Sequence, residues 1–297
     1  RVVAENGTGT TVGEDLTFTT LPVPPTVTTR PARGVGTTGA VIEGLVNAHG
    51  AEAEAWFVVV ALGGDPVTVA AAPSPVTGRA DTAVSATVEG LTPNTTYHYR
   101  VVAAGAGGTA DGGDWTFTTT LLPPAAVTGA ATQVTAAEAT VHATVNASNA
   151  TTHVWFDYGP TTAYGRVATA QPATVTGVAD EQVSATLTGL APSTTYHYRV
   201  WAGSDGGATE GGDATFTTAP ALPLVETLAA EDVTLAGARL RGSVDPQNAE
   251  AEVFFDYGPD TGYGETLPAT PATVTGASVT VVSLALDGLS AATTYHY

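Results

Sequence analysis

The segments GLTPNTTYHY, GLAPSTTYHY and GLSAATTYHY end at Tyr99, Tyr198 and Tyr297, so the chain returns to one pattern every 99 residues without insertion. This constrains the fold more than composition does, because each period must be one structural unit. TFTT keeps the same spacing, ending at Thr20, Thr119 and Thr218, as do Phe57, Phe156 and Phe255. A proline-rich joint follows each TFTT: Leu21-Pro22-Val23-Pro24-Pro25, Leu121-Leu122-Pro123-Pro124 and Ala219-Pro220-Ala221-Leu222-Pro223. Such joints read as short, semi-rigid connectors. They divide the chain into residues 1–20, the end of a preceding domain; whole domains at 21–119 and 120–218; and a third at 219–297 that lacks its last strands. Arg1-Val2-Val3-Ala4 aligns with Arg100-Val101-Val102-Ala103 and with Arg199-Val200-Trp201-Ala202, each directly after Tyr-His-Tyr. Arg1 is therefore expected to follow a Tyr297, as in a window cut from a longer series.

Within a period, alternation of apolar and polar residues predicts strands. From Thr95 to Ala103, Tyr97, Tyr99, Val101 and Ala103 face a core while His98 and Arg100 face out. Ala40 to Val46, Ala53 to Leu62 and Val84 to Val88 read the same way, and a glycine-rich hairpin through Gly107-Gly108 and Gly112-Gly113 leads into Trp115-Thr116-Phe117. About seven strands per period without helical periodicity predict an all-β chain of tandem antiparallel β-sandwiches. Pro73, Pro75, Pro172, Pro268 and Pro271 follow the middle hairpin, where proline belongs on a sheet edge and discourages lateral sheet growth.

The spacing Leu91, Pro93, Tyr97, repeated as Leu190, Pro192, Tyr196, resembles the tyrosine corner of fibronectin type III domains, with Leu289 and Tyr295 in the third copy, where Ala291 replaces proline. The resemblance covers the whole chain, to the tandem fibronectin type III-like repeats of bacterial surface and secreted proteins. It implies a fibronectin type III-like sandwich in which each tyrosine pins a crossover between sheets. Trp56-Phe57, Trp155-Phe156 and Phe254-Phe255 lie on the middle strand, one strand later than the tryptophan of animal modules, and leave the strand topology open.

Composition narrows the function. Hydrophobic residues make up 43%, with no Met and no Cys; charged residues are 12%, and the formal net charge is −19, all nine basic residues being Arg. This charge disfavours nucleic acid and anionic membrane as partners. Without Cys there is no disulfide and no clue to redox compartment; without Lys there are no Lys–Asn isopeptide braces. No apolar stretch reaches the length of a transmembrane helix, and the opening Arg1 reads as a mature or excised piece.

Chemistry-bearing motifs are sparse. Of the six histidines, His49, His98, His142, His153, His197 and His296, three recur once per period, at 98, 197 and 296, and read as solvent-facing strand residues, since a zinc site needs several convergent ligands. Glu14-Asp15, Asp111 with Asp114, and Glu210 with Asp213 sit beside glycine-rich turns but lack the ligand ladder of a calcium loop. No nucleophile elbow, phosphate loop or HExxH pattern is present. Arg79-Ala80-Asp81 is the nearest triplet to an Arg-Gly-Asp adhesion motif. Trp56, Trp155 and Phe254 share a strand face with Val58, Asp157 and Asp256 and are candidate contact aromatics. Asn6, Asn94, Asn146 and Asn149 match the glycosylation pattern, making glycans candidate partners.

The expectation is a non-enzyme without cofactor or metal, extracellular or at the cell surface: a structural repeat of a filament, stalk or surface fibre whose partner is itself, head to tail. Tyr297, Arg1, Val2, Val3 and Phe18 form the expected junction, with residues 1–20 completing a neighbouring third domain. The join is either one long polypeptide or an exchange of strands between chains; a peptide-bond distance of about 1.3 Å between a Tyr297 and the next Arg1 marks the first. The alternative function is a spacer or carbohydrate-adhering module of a secreted enzyme or adhesin.

Overall fold

The computed structural model describes residues 1–297. Every element is a β-strand and every pairing is antiparallel. The chain forms two compact units, Arg1–Leu122 and Pro123–Tyr297.

The first unit begins with a hairpin of β1 (Val3–Asn6) and β2 (Gly9–Val12). The first repeat follows. One sheet is β3 (Thr26–Arg33), β4 (Gly39–Asn47) and β8 (Thr82–Glu89). Facing it, β5 (Glu52–Ala61) pairs with β6 (Val67–Ala70) and β7 (Val76–Thr77) on one side and β9 (Thr96–Gly105) on the other; β9 carries β10 (Gly108–Asp111) and β11 (Trp115–Thr118). The last strand is broken in two at Gly112, whose N–H donates to the Val101 carbonyl while its own carbonyl accepts from Thr29 N–H. A Cβ there would come within 2.4 Å of the Thr29 nitrogen, so the crossing requires glycine.

In the second unit, the second repeat has the same plan. β12 (Ala125–Thr128), β13 (Glu138–Asn146) and β16 (Asp180–Thr188) form one sheet; β15 (Arg166–Val175), β14 (Thr152–Gly159) and β17 (Thr195–Ser204), with β18 (Gly207–Glu210) and β19 (Ala214–Thr217), form the other. Pro172, expected on a sheet edge, lies instead on β15, which pairs with β14 on one side and reaches β16 on the other through the Gln171–Ser184 pair, so the strand bridges the two sheets. The third repeat contains β20 (Leu224–Glu231), β21 (Gly237–Asp245) and β24 (Thr280–Asp287), plus β22 (Glu250–Tyr257) and β23 (Glu265–Thr275), which lies between β24 and β22. Pro268 and Pro271 lie on β23. The side of β22 that in the second repeat holds β17 carries only the Gly258–His296 bridge.

Alternation buries one face of each strand, and the pattern on β4 and β13 is strictly period two. The first and second repeats each enclose a core of 19 buried residues, centred on Ile42, Phe57 and Tyr99 in one and on Val141, Phe156 and Tyr198 in the other. The third encloses only seven, among them Leu240, Phe255 and Val282.

Candidate functional site

The corner tyrosines act through their phenol oxygens. Tyr97 Oη accepts the Thr92 N–H at 2.9 Å, Tyr196 Oη that of Ala191 at 3.0 Å and Tyr295 Oη that of Ser290 at 3.1 Å. Leu91 and Leu190 are buried beneath the turn and Leu289 half-buried; Pro93 and Pro192 lie within it. A residue that sequence reasoning missed completes the corner. Thr119 Oγ1 donates to the Thr92 carbonyl at 2.6 Å and accepts from Thr95 N–H at 3.0 Å, and Thr218 repeats both bonds. The signal was the last Thr of TFTT, buried at both positions. Tyr99, Tyr198 and Tyr297 each donate to a carbonyl of the opposite sheet, at Arg30, Gly129 and Leu228. Burial pushes the Tyr99 and Tyr198 phenols above the usual tyrosine range.

At the chain's ends the same residue types have opposite surroundings. β1 and β2 pair Val3 with Val12 and Asn6 with Gly9; β9 and β10 pair Val102 with Asp111 and Gly105 with Gly108, the identical register displaced by 99. Gly13 N–H donates to the Val2 carbonyl as Gly112 does to Val101 and Gly211 to Val200. Yet Val2 is 77% and Phe18 90% exposed, whereas Val101 and Val200 are fully buried and Phe117 and Phe216 are 8% exposed. Arg1 and Val3 are exposed as well.

The third repeat is correspondingly hollow. A cavity of about 380 Å³ lies beside Leu240, Leu286, Tyr295 and Tyr297, and another of about 280 Å³ beside Val253, Phe255, Val282 and Tyr297. Within the second unit, the turn before β22 touches the preceding corner: Asn248 Nδ2 donates to the Pro192 carbonyl and to Thr194 Oγ1, both at 3.1 Å.

Of the candidate contact aromatics, Trp56 and Trp155 are half-buried and Phe254 is 53% exposed. In the second repeat this outer face carries a charged network. Arg199 bonds Asp157 Oδ2 at 3.3 Å, bonds Glu210, and lies 4.8 Å over the Tyr164 ring. Tyr164 Oη donates to Asp213 Oδ1 at 2.9 Å, and His197 Nδ1 lies 2.8 Å from Asp213 Oδ2. The His197 hydrogen bond, helped by Tyr164, holds the Asp213 carboxyl below the usual range; burial and then Asp213 push the Tyr164 phenol up. Among the glycosylation candidates, Asn146 spends its amide nitrogen on the Val178 carbonyl and Asp180 Oδ1.

The first repeat lacks part of that network. Arg100 faces Val58 where Arg199 faces Asp157, and Arg100 Nε is buried without a partner. Val58→Asp is expected to stabilise the first repeat by about 1 kcal/mol, since an unsatisfied buried donor costs roughly 1–3 kcal/mol and poorer strand propensity returns less than about 1. A thermal midpoint raised by a few degrees in calorimetry checks this; an unchanged or lower midpoint refutes it.

A second orphan is Thr152 Oγ1, fully buried and unbonded where the other repeats have Ala53 and Ala251. Thr152→Val keeps the shape and removes the hydroxyl, so a gain of about 1 kcal/mol is expected. Chemical denaturation measures it, and any destabilisation sinks the reading.

No family model and no curated protein matches this sequence. Among solved structures, the chain is similar to the FN1–FN3 domains of chicken CNTN1, at 17% identity and a TM-score of 0.36, over 93% of this chain and 91% of that one. The strand order makes the first two repeats antiparallel β-sandwiches on one plan, three strands facing six in the first and five in the second.

Proposed function

We propose that this chain is a structural repeat of an extracellular filament, stalk or surface fibre, of the kind formed by tandem fibronectin type III-like repeats of bacterial surface and secreted proteins. The observation that carries the reading is tandem repetition: one sandwich plan recurs with a 99-residue period, and short proline-rich segments join each unit to the next. Semi-rigid joints between like units extend a chain in one direction, and further copies would continue it head to tail. The acidic surface keeps neighbouring fibres apart.

Electron microscopy of polypeptides containing three or more copies of the 297-residue sequence tests this. Thin unbranched fibres lengthening in proportion to copy number are expected; laterally fused sheets or amorphous material refute it.

A further inference from the structure

The second repeat departs from the 99-residue pattern in one cluster on the outer side of β14 and β17. Trp201, Gly203, Ser204 and Asp205 stand where the first repeat has Val102, Ala104, Gly105 and Ala106, and His153 stands for Glu54. The fold gathers them. Trp155 and Trp201 are cross-strand partners, their rings stacked at 3.8 Å and 19°. A Cβ on residue 203 would lie 2.2 Å from the Trp201 ring, so that ring rests on bare backbone, and the alanine of the first repeat would evict it. Trp201 and Gly203 are thus a coupled pair. Beside the indoles is an open depression of about 650 Å³, bordered by His153, Ser204 and Asp205. His153 and Asp205 are exposed at its border.

We propose that this patch binds a neutral carbohydrate, one or two rings of a longer glycan stacking against the indoles while His153 and Asp205 bond its hydroxyls. A sugar ring presents an apolar C–H face edged by hydroxyls, which matches an aromatic surface flanked by exposed polar groups. Asp205 and the net charge of −19 oppose uronic or sulfated glycans. The site goes beyond the structural role above and does not depend on it.

Affinity electrophoresis of the full chain tests the site, in native gels containing hydroxyethylcellulose, dextran or soluble xylan, with alginate as the anionic control. Retardation by at least one neutral polymer, and none by alginate, is expected. Trp201→Val with Gly203→Ala restores the residues of the first repeat, so the fold is kept; the affinity is expected to fall by about tenfold or more. Asp205→Ala is expected to weaken binding several-fold and Trp56→Ala to leave it unchanged. The proposal is overturned by no retardation in all three neutral polymers, by retardation that the double variant leaves intact, or by preference for alginate.

Discussion

A chain carrying a second copy of residues 1–20 after Tyr297 is expected to melt with a third repeat at least 10 °C more stable than in the parent chain. The third repeat encloses seven buried core residues against 19 in each of the others, and its β22 edge is nearly unpaired. The added segment has the sequence and hairpin register of the strands that close the other repeats. Burying the equivalents of Val2, Ala4 and Phe18 alone contributes on the order of 5 kcal/mol, at about 1.5–3 kcal/mol for each large side chain. At roughly 4–8 °C per kcal/mol for a domain of this size, the shift is well within calorimetric reach. Hydrogen exchange in the same chain is expected to slow on β22 and in the added hairpin. An unchanged lowest transition, with the added segment still rapidly cleaved by protease, would show that the segment does not pack on β22.

Phe156→Ala is expected to destabilise the second repeat by about 3–5 kcal/mol, while the matching Phe255→Ala costs the third repeat less than half as much. Both phenylalanines hold the same place in the period. Phe156 is fully enclosed among 19 core residues, so its removal leaves a cavity that surrounding strands cannot fill. Phe255 borders a cavity already present and is 8% exposed. Denaturant titration followed by tryptophan emission in a Trp56→Phe, Trp115→Phe background reports the second repeat through Trp155 and Trp201, and calorimetry reports the third. Equal losses at the two positions would show that the third sandwich is as well packed as the second.

Much of the fold was legible because its signals are local. Tyr97, Tyr99, Val101 and Ala103 alternate with polar neighbours, and all four are buried on β9. Phe57 faces the core and Trp56 the outer side, as their one-residue offset requires. Topology was not legible, because nothing local says which strands pair. The break at Gly112 arises from a contact with Thr29, more than 80 residues away in the chain. The buried role of Thr119 was hidden because threonine on a strand more often faces solvent. At the candidate site the signal was divided: Trp155 stood out as an outward aromatic, but Trp201 acquired meaning only as its cross-strand partner.

The sequence by itself determined the 99-residue period, the strand faces and the all-β antiparallel class, because repetition and period-two alternation are written residue by residue. Tertiary structure alone decided which strands pair and so which side chains meet. Trp155 and Trp201 lie on separate strands and stack only because β14 and β17 are neighbours, and contact belongs to the packed partner rather than to the side chain.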